Sequence, residues 1–146
     1  MEEKQLEEFL IGRIILEPNI LEKHVSSIHE KLFQYPLNKE IFALMETFKE
    51  EGTTIDLITL TNALKKNHEQ IAYKLSLIVQ QGHYEANTTS CIEALNNIYQ
   101  KNKLVAIAQN IDNGISNKEN LHHIIASIEN DLSKIKSAPL PQVIMV

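Results

Sequence analysis

The sequence predicts an all-α fold, a globular multi-helix head followed by a long C-terminal helical hairpin. Two observations carry the fold class. Only four glycines and four prolines interrupt 146 residues, and apolar side chains recur at three- and four-residue spacing through most of the chain, the period of a helix. A third carries the hairpin: from Thr88 onward two uninterrupted helical patterns flank one turn. The length suits one domain with one core, and the 43% apolar content is enough to fold it without a metal or disulfide staple.

The first helix is expected from about Glu3 to Leu16, stopped by Pro18 because the residue before a proline disfavours α geometry. Pro18 to Lys23 suits a short proline-first helix, and Ser26 to Leu32 continues it after a bend. A loop through Gln34-Tyr35-Pro36 leads to a helix over about Asn38–Glu50, with an apolar stripe of Ile41, Phe42, Leu44, Met45 and Phe48, ended by Gly52. Asp56 is placed to cap the next helix, which runs to about Asn67, with Ile55 and Leu60 at hydrophobic-staple positions. Ile71–Gln81 forms another helix, with Gly82 as its C-cap.

A long helix then runs from about Thr88 to Asp112 or Asn113, with Gly114 as a left-handed cap, and a capping box at Ser116–Glu119 opens the last helix, to about Lys136. Residues 1–136 thus form one helical domain, head about 3–82 and hairpin about 88–136. Residues 137–146, with Pro139 and Pro141, read as an extended tail or the start of a linker.

Fourteen Lys+Arg against 19 Asp+Glu give a net charge of -5, and Arg13 is the single arginine. Phosphate neutralisation and guanine reading rely on basic, arginine-rich surfaces, so strong direct nucleic-acid binding is not expected. Lys65, Lys66, Lys101 and Lys103 offer at most a weak basic patch. One cysteine, Cys91, rules out an internal disulfide and suits a cytoplasmic protein. No opening signal segment or membrane-length apolar run is present, which leaves the sequon Asn87-Thr88-Thr89 idle.

Catalytic chemistry is not visible. No phosphate-cradling glycine loop occurs, and none of the six histidines pairs with another at the i, i+3 or i+4 spacing of a helical metal site. Glu2, Glu3, Glu7 and Glu8 read as favouring the N-terminal dipole of the first helix and its solvated face, and Cys91 as a small buried or semi-buried helix residue. No catalytic, cofactor-binding or metal-binding residue is therefore assigned.

The hairpin, in contrast, has more apolar residues than one helix pair can bury. Leu121, Ile125, Ile128, Leu132 and Ile135 follow a 4-3-4-3 heptad spacing, and Leu104, Ala108, Ile111 and Ile115 follow 4-3-4 before the turn, reading as a coiled-coil-like seam within the hairpin. Ile92, Leu95, Ile98, Tyr99, Val105, Ile107, Ile124 and Ala126 add to these. The surplus either packs on the head or pairs with another copy.

The order of motifs resembles the N-terminal domain of DnaB-type replicative DNA helicases. The matching stretches are Glu7-Glu8-Phe9-Leu10-Ile11-Gly12, Glu17-Pro18-Asn19-Ile20-Leu21, Leu32-Phe33-Gln34-Tyr35-Pro36 with Glu40-Ile41-Phe42, and Glu51-Gly52 with Ile55-Asp56-Leu57-Ile58-Thr59-Leu60. Tyr73-Lys74-Leu75 and Tyr99–Leu104 are fainter echoes, so the resemblance covers about residues 5–136. It departs from the family at Gln70–Leu75, where the family carries glycines, and after Leu104, where a frequent arginine is missing.

The resemblance implies a helical head, a hairpin that dimerises, and three dimers in a collar above a hexameric motor. It further implies docking of the primase C-terminal region or a helicase loader, with no membrane role. The pairing residues expected are Leu104, Ile107, Ala108, Ile111, Leu121, Ile124, Ile125 and Ile128. The ATPase motor, with its ATP and Mg, is absent after Ser137, so this chain is expected to be non-catalytic. It is either an excised domain of a bacterial or phage replicative helicase or a short natural relative. The alternative function is a freestanding head mimic that regulates or loads a host helicase.

Overall fold

The computed structural model describes residues 1–137, all helix and connecting turn among those residues, with no strand. The chain divides into two compact units, Met1–Leu95 and Asn96 onward. The expected tail over 138–146 lies outside the described residues.

In the head, α1 (Glu3–Leu16) is the central helix: Phe9, Leu10, Ile11, Ile14 and Ile15 are all buried, so its apolar surface runs round most of its circumference. It packs most extensively along α5 (Ile71–Gly82) and also on α3 (Pro36–Glu51), while α4 (Leu57–Leu64) closes over α3 and α5. Phe33 stacks obliquely on Phe42 with ring centroids 4.8 Å apart. Each such large side chain withdrawn from water contributes roughly 1.5–3 kcal/mol.

Local chemistry sets the helix limits. Asp56 Oδ1 accepts from the Thr59 amide at 2.8 Å while Thr59 Oγ1 accepts from the Asp56 amide at 3.1 Å, a reciprocal capping box. Ile55 and Leu60 are both buried beside it, at the staple positions. Gly52, at φ 72°, gives α3 its left-handed end, and the Thr53 amide bonds back to the Phe48 carbonyl at 2.8 Å. Pro36 occupies the first turn, so α3 begins two residues before the sequence suggests.

Three expectations change. After α2 (Ile20–Lys23) the chain does not continue as helix to Leu32; it turns, extends at His29 (φ -145°) and makes only a 3-10 turn over Glu30–Leu32. Ser26 and Ser27, poor helix formers that compete for backbone bonds, mark the break. Gly82 is not a left-handed cap. A Cβ on Gly12 would lie against the Ile78 carbonyl oxygen and 2.7 Å from the Gly82 nitrogen, so the two glycines are the point where α1 and α5 touch backbone to backbone.

The third change is at the hairpin turn. Helix α6 (Thr88–Ser116) passes straight through Gly114, and α7 (Leu121–Ser137) is capped by Asn120, whose Oδ1 accepts from the His122 amide at 2.8 Å. The left-handed residue is Lys118, at φ 55°. Inside the helix Gly114 leaves room for its neighbours: an added Cβ would sit 3.2 Å from both Ile124 Cγ1 and Glu119 Oε2.

Gln70, just before α5, is also left-handed, at φ 57°. A non-glycine residue pays roughly 1–2 kcal/mol there. Gln70→Gly is therefore expected to stabilise the head by about 0.5–1 kcal/mol after the entropy glycine gains in the unfolded chain. The midpoint of urea unfolding checks this; a lower midpoint for the variant would contradict it.

Candidate interaction surface

Within the hairpin unit, the 117–120 turn reverses the chain, and α6 and α7 meet antiparallel. Ile107, Gly114, Ile124 and Ile135 are buried, with Ile111, Ile128 and Asp131 half-buried beside them. On α7 the contact row is thus 124, 128, 131 and 135, and on α6 it is 107, 111 and 114. The heptad rows read from the sequence share only Ile111, Ile128 and Ile135 with these contact rows. Leu121 is 64% exposed, Leu104 49%, Ile125 44% and Leu132 36%, whereas Ile107 and Ile124 are 8% and 7% exposed.

Helical geometry explains the split. At 100° per residue, the row Leu104, Ala108 and Ile115 lies roughly 70° round α6 from its contact row, and Leu121, Ile125 and Leu132 lie roughly 70° round α7 in the same sense. Because the helices are antiparallel, equal rotations bring both rows to the same side of the hairpin. They form one outward apolar face, with Ile111 and Ile128 on its border. Each helix has an apolar arc wider than one seam needs. Of the eight expected pairing residues, Leu104, Ala108, Leu121 and Ile125 lie on this outward face, Ile111 and Ile128 edge it, and Ile107 and Ile124 are buried in the hairpin's own seam.

Charged residues of the head mostly brace it. Glu7, expected on a solvated face, is fully buried on α1 and accepts three hydrogen bonds: from the Gln34 amide at 3.0 Å, the Tyr35 amide at 3.3 Å and Asn38 Nδ2 at 3.2 Å. Its carboxylate sits at the start of α3, where helix amides lack partners, and ties that start to α1. Burial raises the Glu7 pKa more than these donors lower it. The folded protein therefore holds this proton more tightly than the unfolded chain. The stability this confers is complete below the ordinary value of 4.5 and is lost as pH rises through the folded-state pKa. Measured by urea unfolding from pH 4 to pH 7, the stability of wild type minus that of Glu7→Gln is expected to fall with rising pH; a difference that rises would contradict it.

Arg13, the single arginine, is spent inside the head. Its Nη2 donates to the Tyr84 and Ala86 carbonyls at 3.0 and 2.8 Å, fastening the α5–α6 connection to α1, and its guanidinium lies 4.9 Å from the Phe9 ring centre. Cys91 donates to the Leu6 carbonyl at 3.3 Å, and burial pushes its thiol up to about 12, which leaves no thiolate to react. His68 meets Glu40 at 2.7 Å. Lys103, one of the four candidate basic-patch lysines, is drawn over the Tyr99 ring at 4.6 Å.

Among the described residues no three His, Cys, Asp or Glu side chains are placed to hold a metal ion, and no helix is long and apolar enough to cross a membrane. The DnaB-like helicase N-terminal domain matches residues 1–97, two-thirds of the chain. The chain belongs to this family. No curated protein matches it. What the match covers is the non-catalytic N-terminal domain, and the all-helical head with its long helix pair is consistent with that assignment.

Proposed function

We propose that this chain is the oligomerisation and partner-docking domain of a bacterial or phage replicative DNA helicase, acting in DNA replication. Its role is scaffolding: pairing subunits through the hairpin, up to a trimer of dimers, and receiving the primase C-terminal region or a helicase loader on its surface. The observation that supports this best is the outward apolar face of the hairpin, Leu104, Ala108, Ile115, Leu121, Ile125 and Leu132, exposed in a single copy. Contiguous apolar surface of this kind marks an interface. A twofold contact of the face with itself would cover both rows at once.

Family membership supports the docking half of the reading. The acidic head, 15 Asp+Glu against nine Lys+Arg over residues 1–95, suits protein contacts better than phosphates. Docking is tested by titrating the purified C-terminal region of a primase, and separately a helicase loader, from the same genome into this protein in a calorimeter. Saturable binding of either is expected; heat of dilution alone from both would overturn the docking role.

A further inference from the structure

The tip of the hairpin holds a chemically reactive pair. Asn113-Gly114 is the one asparagine-glycine step in the sequence, and glycine has no side chain to shield its backbone nitrogen from the asparagine before it. Asn113 is exposed and Gly114 buried, in the last turn of α6. A cavity of about 240 Å³ opens beside them, lined by both residues and by Asn110, Glu119 and His123, which gives water access to the pair. Glycine is required at this position by its neighbours, since a Cβ would sit 3.2 Å from Ile124 Cγ1 and from Glu119 Oε2. The close approach that seats α7 on α6 thus keeps the reactive step in the chain.

Inside the helix the pair is locked. The Asn113 carbonyl accepts from the Asn117 amide at 2.9 Å, and the Gly114 carbonyl from the Glu119 amide at 3.0 Å. Helical backbone at Asn113 turns the Gly114 nitrogen away from the Asn113 side chain, so a succinimide ring cannot close there. Closure requires the last turn of α6 to open. Three features lower the cost of that opening: a glycine within the helix, the left-handed Lys118 at φ 55° just beyond it, and the cavity alongside.

We propose that Asn113 is a deamidation site gated by opening of the hairpin tip, and that its modification loosens the tip irreversibly. In the opened turn the Gly114 nitrogen gives up its proton to solvent hydroxide and attacks Asn113 Cγ. A C–N bond forms, the Cγ–Nδ2 bond breaks, and Nδ2 leaves as ammonia after taking a proton from water. Water then hydrolyses the succinimide at either carbonyl, leaving aspartate or isoaspartate with no change of oxidation state. Isoaspartate inserts a methylene into the backbone of α6. Either product adds a carboxylate near the C-terminus of the helix, on a cavity wall that already carries Glu119 and Asp131, where negative charge is unfavourable. The inference goes beyond the proposed function and depends on neither pairing nor docking.

The test incubates the whole chain at mildly alkaline pH, natively and in urea, and follows conversion at each asparagine by peptide mapping with mass spectrometry. In urea Asn113 is expected to convert before any other asparagine, and in the native protein at least about tenfold more slowly than in urea. Asn120→Ala removes the acceptor of the His122 amide at 2.8 Å, weakens the start of α7 and should speed native conversion about fivefold. Ile124→Asp, which opens the α6–α7 contact, should bring it close to the urea rate. Hydrogen exchange of the Gly114 amide should quicken by the same factor in each variant, while both variants match wild type in urea. Asn113→Asp, which carries the charge of the product, should itself speed Gly114 exchange about twofold or more. Equal rates natively and in urea, or another asparagine converting first in urea, would overturn the proposal. So would native conversion that neither variant quickens, or Gly114 exchange in Asn113→Asp no faster than in wild type.

Discussion

Replacing Gly12 with valine is expected to destabilise the head by about 3 kcal/mol or more and to lower its melting temperature by roughly 10–20 °C. The reason is the neighbour that the new side chain meets. A Cβ at Gly12 faces the Ile78 carbonyl and lies 2.7 and 2.8 Å from the Gly82 nitrogen and Cα, all of them backbone, which cannot swing aside as a flexible side chain does. The variant must push α1 off α5, the most extensive helix contact of the head. Against a typical domain stability of about 5–15 kcal/mol this is a large fraction. Gly52→Ala is the control: nothing lies within 4 Å of that position, and its cost is the left-handed backbone alone, about 1 kcal/mol. Thermal melts followed by circular dichroism decide it, and a Gly12→Val melt indistinguishable from wild type would contradict the close crossing.

Ile125→Asp is expected to leave the hairpin folded and to weaken self-association by about 30-fold or more, because a carboxylate is placed in an apolar contact with no partner. Its neighbour provides the contrast. Ile124 is buried against Gly114 inside the hairpin, so Ile124→Asp should instead melt the α6–α7 contact and lower helix content. Two adjacent residues thus separate assembly from folding. Sedimentation equilibrium with circular dichroism reads both effects; loss of helix in Ile125→Asp, or unchanged association, would count against an outward pairing face.

What the sequence made legible was local chemistry. Asp56, Ile55 and Leu60 announce a capped helix within six residues, and Gly52 announces an end, because each acts through the nearest backbone. What it hid depends on partners far along the chain. Heptad spacing in Leu121, Ile125 and Leu132 identifies an apolar row, but periodicity does not tell which half of a wide apolar arc meets the neighbouring helix and which is left outside. Gly114 read as a cap because glycine often ends helices, whereas here it makes room for Ile124.

Glu7 was masked by its acidic neighbours, though a signal existed: it lies three, four and seven residues before the buried Leu10, Ile11 and Ile14, on their side of α1. Gly12 carried a signal too. A glycine inside a long apolar helix costs about 1 kcal/mol relative to alanine and so asks for a packing reason, which Gly82, 70 residues later, supplies.

The measurement that bears most directly on the central claim is the mass of the wild-type protein in solution, by light scattering after size exclusion, over a wide range of loading concentrations. A mass rising with concentration from the 16.7 kDa of one chain to twice that value, or onward to a hexamer, is the predicted result. A mass that stays at one chain at the highest concentration would contradict the pairing role of the outward hairpin face.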